Sequence, residues 1–343
     1  MKKHHYFLNL LVIVSLFAFV ITANAKDVSF TLKYSHGNNE FDATQLQGEI
    51  FKKLLEERSG GKLKVDIYPG TLTTSGKESM EFLIAGTVDV GPVPAGHIAG
   101  FQKDVQFLAM PYLFNSQEHY AAAKNCGAVQ EIQKKLEKAT NLIAAGFVTD
   151  TNGLAFATAK PIHSMADAKG IKLRSMTNPL FVDMYSAFGF NVTPTDWSEV
   201  YTSLQTGVVE GDDLGVKANY DFKFNEVVKA FAITKHCWTK QVTLVSPKLM
   251  KKVSETQGEM IINAIRDAIA VADMYQYVRE AEYIEKAKKD GYTVTYPDIK
   301  PFKDASKGVY EKWFKKYPHW RKWYDEIQYL DPGIIKTKAE SKL

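Results

Sequence analysis

The stretch RSMTNPLFVDMYSAFGFNVTPTDWSEVYTSLQTGVVEGDDLG, residues 174–215, decides how this chain folds. Asn178-Pro179 offers an N-cap and a first-turn proline. Behind it, Phe181, Met184, Tyr185 and Phe188 recur at helical spacing until Gly189 stops the helix. A second helix is predicted from Asp196, with Glu199 in capping-box position and Trp197, Val200, Tyr201 and Leu204 on its apolar face. The run IKLRS (171–175) just before reads as a strand. Strand followed by helix is the unit of an α/β sheet, whose strand ends face a ligand crevice. The aromatic stripe belongs to the core. Arg174, Asn178 and Trp197 stand at a strand end and in first turns, so they are the crevice candidates.

Upstream, strands over 28–35, 62–70, 87–93 and 141–148 alternate with helices over 40–61, about 76–86 and 116–138. That order predicts a mostly parallel sheet covered by helices. Downstream of residue 152, the strand GLAFAT, the strand IKLRS, helices 179–188 and 196–206, and the strand AFAITKH (230–236) form a second α/β set. From 254 to about 290 there is no proline, and Ile261, Ile262, Ile265, Ile269 and Ala272 keep one apolar stripe. One helix of roughly 50 Å would span both lobes. No Gly/Ser linker separates them, so several strands are expected to cross and form a hinge. The expected division is 26–151 with about 240–279 in lobe I, and 152–239 with about 280–330 in lobe II.

Bulk properties agree with two lobes. The chain has 343 residues, more than one core usually spans, and its 45% hydrophobic and 24% charged content are ordinary globular values. Its net charge is +4, of which Lys2 and Lys3 supply two, and no basic tract calls for nucleic acid. Residues 1–25 read as an export signal. MKKHHYF is a basic head, LNLLVIVSLFAFVI an apolar stretch of 14, and Ala23-Asn24-Ala25 a small-x-small cleavage site. The stretch is shorter than the ~20 residues a transmembrane helix needs. The mature protein is therefore expected in the periplasm, beginning at Lys26. Cys126 and Cys237 make no disulfide framework, and buried thiols are the expectation.

The sequence carries few motifs of catalysis or metal binding. GTLTTSGKES (70–79) follows a strand and opens a helix, but five residues separate Gly70 from Gly76 and Glu78 stands where a phosphate loop needs a hydroxyl. It reads as a glycine turn feeding a helix. No two histidines are spaced to ligate one metal, and there is no nucleophile elbow or dinucleotide fingerprint. Neither catalysis, a metal nor a cofactor is expected.

The block 174–215 resembles the DctP-type solute-binding subunits of tripartite ATP-independent periplasmic (TRAP) transporters. Its parts KLR, NPL, PTD, WSEVYTSLQTG and VVEG follow that family's pattern, as do YPGTLTTSGKE, FLIAGTVDVG and LAMPYLF upstream and TLVSPKLM downstream. The resemblance implies an α/β, two-lobed periplasmic binding protein, with a ligand cleft between the lobes and a long helix spanning both. It also implies a carboxylate clamp at Arg174, an aromatic wall at Trp197, a small organic acid as ligand and TRAP membrane permease subunits as partners. A monomer is expected, with no nucleic acid.

Three positions depart from the family pattern. Leu214 replaces a polar contact, Leu154 follows Asn152-Gly153 where a second arginine is common, and Pro94 stands where sugar-acid binders can carry a glutamate. These losses argue against a large polyhydroxylated acid. Asp150, Asp212 and Asp213 are possible acids near the clamp, and Ser35 and His36 end the first strand, where crevices form. Two other classes stay open, a periplasmic ligand-sensing subunit for a membrane receptor and a periplasmic enzyme.

Overall fold

The computed structural model of the chain describes residues 27–73, 75–149, 154–238 and 240–333. The predicted export signal, Asp150, Asn152 and Gly153 lie outside the described residues. The first half runs β1 (Phe30–His36), α1 (Ala43–Arg58), β2 (Leu63–Pro69), α2 (Gly76–Ala85), β3 (Val90–Pro94), α3 (Ala95–Ile98), α4 (Gln117–Ala123), α5 (Gly127–Thr140) and β4 (Ile143–Thr149). The second set is β5 (Phe156–Thr158), β6 (Lys172–Ser175), α6 (Pro179–Ala187), β7 (Asn191–Pro194), α7 (Val200–Gln205), β8 (Gly211–Asp212), α8 (Val216–Asp221) and β9 (Ala230–Ala232). The chain then adds β10 (Lys240–Val245), α9 (Pro247–Met250), α10 (Glu255–Lys289), β11 (Thr293–Thr295), α11 (Lys300–Lys316) and α12 (Trp320–Tyr329).

Two sheets result, ordered β2-β1-β3-β10-β4 and β11-β9-β5-β8-β6-β7. Each contains one strand that runs against its neighbours. β10 is antiparallel to β3 and β4, and β5 is antiparallel to β8 and β9. Both are strands that begin where the chain has just crossed from the other lobe. They start at the inter-lobe face, whereas β1, β3 and β6 end there, so the crevice collects strand carboxyl ends from both sheets. The two crossings also bond to each other, Leu154 N to the Cys237 carbonyl at 2.9 Å and Lys235 N to the Leu154 carbonyl at 3.0 Å. That pairing helps explain why the predicted strand 230–236 stops at Ala232: the chain beyond it joins the hinge, with Lys235 at φ 49°.

The predicted helix over 116–138 is two helices. Ser116 caps α4, and Cys126 takes an extended conformation as the N-cap of α5, because Asn125-Cys126-Gly127 joins three weak helix formers. The second helix of the 174–215 block opens with a 3-10 turn, Trp197–Glu199, and the Asp196 side chain accepts from Thr177 Oγ1 instead of capping it.

α10 binds the lobes together. Its first half places Ile261, Ala264, Ile265, Ala268 and Ala272 against the first sheet and α1, and its last turns place Ile284 and Ala287 in the second lobe's core. Each fully buried isoleucine contributes roughly 1.5–3 kcal/mol, so this register is strongly fixed. Glu280, buried on the same helix, accepts from Val216 N at 2.7 Å and Lys217 N at 3.1 Å and thereby caps α8. The terminal helices divide. α11 packs on α6, where Trp313 Nε1 donates to Asp183 at 2.9 Å. α12 returns to the first lobe, where Trp320 donates to Asp104 at 2.7 Å and Trp323 to Glu131 at 3.0 Å, although the sequence reading groups residues up to 330 with lobe II. The cause is its tryptophan face, which closes over Phe107 at 5.4 and 5.5 Å.

Glu280→Ala is expected to strand two buried amides at the start of α8, at about 1–3 kcal/mol for each group left unsatisfied. Glu280→Gln keeps one carbonyl oxygen and should lose less. Urea denaturation midpoints of the three proteins check the order.

Candidate functional site

A cleft of about 150 Å³ opens between the sheets and draws its walls from both. From the first lobe come Gly37 and Asn38 after β1, Asp42 at the start of α1, the first turn of α2, Pro92 and Pro94 of β3, and His97 of α3. Gln241 of β10 and Gln276 of α10 close the back. The second lobe brings Arg174, Met176, Asp196, Trp197, Leu214, Asp221 and Phe222.

Arg174 sits on β6 between β7 and β8, with Leu173 turned into the core and the guanidinium turned to the cleft. The residue is only 2% exposed. Nη1 donates to Asp213 Oδ1 at 3.1 Å and Nη2 to the Thr195 carbonyl at 3.4 Å, while Nε has no partner among the described residues. Asp213 is fixed in turn by the Tyr185 hydroxyl, which donates to Oδ2 at 2.7 Å. The Trp197 ring centre lies 5.6 Å from the guanidinium carbon, and Phe222 packs edge-on to that ring at 4.7 Å. The planar fork is therefore held from behind and beside, with donor capacity left toward the cleft.

The predicted residues separate into two groups. Arg174 and Trp197 line the cleft, and so do Pro94 and Leu214, two of the positions where the chain departs from the family pattern. Asp213 stands behind the cleft as the partner of Arg174. Asp212 is wholly buried: its Oδ1 accepts from Leu214 N at 2.9 Å and Asn219 Nδ2 at 3.1 Å, and burial lifts its pKa to about 7. Asn178 caps α6 through Leu180 N and donates from Nδ2 to the Gly96 carbonyl of the first lobe at 2.9 Å, a tie between lobes instead of a cleft wall. Ser35 bonds Thr73 at 3.0 Å and His36 bonds Gln45 at 3.0 Å, both buried, because β1 continues through His36 and the crevice begins at Gly37. Asp150 lies outside the described residues.

Several cleft residues escape sequence reading. His97 lines the wall with its pKa lowered by burial and then by the charge of Arg174, so it presents a neutral imidazole. Gly76 packs against that ring so closely that a Cβ would stand 2.4 Å from it, which ties the glycine turn before α2 to the site. Gln241 and Gln276 come from elements that reach the cleft only after the crossings have formed. Among the described residues, no three His, Cys, Asp or Glu side chains gather as a metal site requires.

Residues 34–317 match the family described as bacterial extracellular solute-binding protein, family 7 (DctP). The sialic acid-binding periplasmic protein SiaP of Vibrio cholerae is 26% identical over 289 residues, covering 84% of this chain and 88% of that protein. The 2,3-diketo-L-gulonate-binding periplasmic protein YiaO of Escherichia coli is 24% identical over 280 residues, 80% of this chain and 84% of that one. A TRAP periplasmic solute-binding protein of Pseudomonas putida F1, solved with bound D-glucuronate, superposes with a TM-score of 0.81 at 27% identity, covering 86% of this chain and 97% of that one.

Asp213→Ala should leave a buried guanidinium without its counter-charge, at about 3–5 kcal/mol. Tyr185→Phe removes only one hydrogen bond to that carboxylate, and about 1.5–3 kcal/mol is expected for a bond to a charged group. Chemical denaturation of both variants tests the ranking. A smaller loss for Asp213→Ala than for Tyr185→Phe would show that the carboxylate does not anchor Arg174.

Proposed function

This chain belongs to bacterial extracellular solute-binding protein family 7, and from that premise we propose that it is the solute-binding subunit of a TRAP transporter. It captures a small organic acid between its lobes in the periplasm, after cleavage behind Ala25, and delivers it to the membrane permease subunits. The observation that carries this reading is the buried Arg174, cleft-facing and with Nε unpartnered. A carboxylate offers such a guanidinium two parallel hydrogen bonds in a fixed plane, and charge-assisted bonds of this kind are about twice as strong as neutral ones. Trp197 gives the acid a flat apolar wall, and neutral His97 and Gln241 offer polar edges from the opposite lobe.

The size and lining of the cleft favour a compact ligand. Its volume of about 150 Å³ is below the ~300–1,000 Å³ usual for drug-sized sites, and Pro94 and Leu214 present carbon where a polyol would need hydrogen bonds. The hinge of paired crossings, with α10 running across both lobes, provides the axis on which residues 26–151 with about 240–279 and α12 close against 152–239 with about 280–316.

The test begins with mass spectrometry of the acid released from freshly purified protein, followed by calorimetric titration of that acid. Arg174→Ala is expected to weaken binding by about 2–5 kcal/mol, or roughly thirty-fold to several thousand-fold. Arg174→Lys should recover part of this, since it restores charge without the planar fork. A folded Arg174→Ala protein that binds within about threefold of wild type would place the clamp elsewhere.

A further inference from the structure

The end of the cleft formed by Asp42 and Asp221 carries two carboxylates. Among the described residues, Arg174 is the one cationic side chain lining the cleft, against the carboxylates of Asp42, Asp196 and Asp221. The charges behind them balance, since Lys217 pairs with Asp221, Asp213 pairs with Arg174, and Arg279, whose charge also reaches Asp221, pairs with Glu282. The lining thus carries a formal excess of negative charge, which an anionic solute would meet as repulsion and a dipolar one would not.

Asp42 and Asp221 come from opposite lobes and stand where the lobes touch. Asn39 Nδ2 donates to the Asp221 carbonyl at 2.8 Å, and Lys217 Nζ donates to the Phe41 carbonyl at 3.0 Å. Burial lifts Asp221 to a pKa of about 6, and the charge of Asp42 adds to the rise, which marks the two as neighbours. Asp42 Oδ1 accepts from Asn38 Nδ2, Thr44 N and Thr44 Oγ1, and Asp221 Oδ2 accepts from Lys217. Their other oxygens accept no hydrogen bond among the described residues. Gln276, which lines the same cleft and is 3% exposed on α10, has an Oε1 without a hydrogen-bond partner among the described residues. A buried acceptor left unpaired is costly, so the ligand is the natural source of the missing donors.

We propose that the solute is a zwitterion, an amino acid or a related acid with a protonated amine, whose carboxylate lies on Arg174 and whose ammonium is held by Asp42 and Asp221 with Gln276 as a further acceptor. This rests on the carboxylate-capture reading above and narrows it. The ammonium bridges one carboxylate from each lobe, so the charge that distinguishes this ligand also ties the lobes shut, and the uronate-type acids bound by relatives lack that group.

The test is calorimetric titration with matched pairs, alanine against lactate and 4-aminobutyrate against 4-hydroxybutyrate, in both enantiomers where they exist, with D-glucuronate alongside and the acid released from the purified protein as an independent sample. An amino member is expected to bind at least about tenfold tighter than its hydroxy isostere, and the released acid should contain a basic nitrogen. Asp42→Asn, which keeps an N-cap residue for α1, should narrow that ratio toward one, and Asp221→Asn should do the same. Hydroxy acids or D-glucuronate binding as tightly as every amino member, a released acid without a basic nitrogen, or a ratio unchanged in both variants overturns the zwitterion while leaving carboxylate capture intact. Failure of every carboxylate, released acid included, overturns both.

Discussion

The structure turns on a guanidinium that has been taken out of water and only partly paid back. Arg174 has five N–H donors, and the described residues give it one oxygen of Asp213 and the Thr195 carbonyl. A buried ion pair is weak evidence of stability, because desolvation can consume the Coulombic gain. Holding this one in place requires Tyr185 on Asp213, Trp197 beside the fork and the parallel register of β6 between β7 and β8. Such support makes physical sense where the open donors await an acceptor that arrives from outside.

That requirement connects the site to the topology. A clamp on the second lobe can enclose a solute only if the first lobe comes to meet it, and the paired crossings at Leu154, Lys235 and Cys237 make both lobes share a short hinge. α10 serves the same end by a different means. Its first half belongs to one core and its last turns to the other, and it sends Gln276 into the cleft and Glu280 to the start of α8. The paired crossings and the ligand wall therefore share elements, so the proposed closure would move both together.

Much of this was legible in the sequence where local chemistry decides it. Asn178-Pro179 announced α6, the proline-free stripe from Ile261 to Ala272 announced α10, and the KLR strand end pointed to Arg174 as a crevice group. What escaped depends on long-range packing. Nothing local distinguishes Asp213, which faces Arg174 from behind, from an acid on the cleft wall, and the point where β1 stops pairing with β2, after His36, decides that Gly37 and Asn38 line the cleft while Ser35 and His36 are buried. His97, Gln241 and Gln276 carry no motif; they reach the site only because α3, β10 and α10 converge there. The second helix of the block was expected to start on an Asp196 cap, but that side chain bonds Thr177 and leaves Trp197 in a 3-10 turn, half-buried against the cleft.

The most direct measurement is a crystal structure of the protein with a bound carboxylic acid. A carboxylate of that acid should lie with its oxygens about 2.7–3.0 Å from the Arg174 nitrogens, in the plane of the guanidinium, with Asp213 still on the far side. A ligand whose carboxylate rests elsewhere in the cleft, with Arg174 bonded only to Asp213 and Thr195, would contradict the role given to this residue.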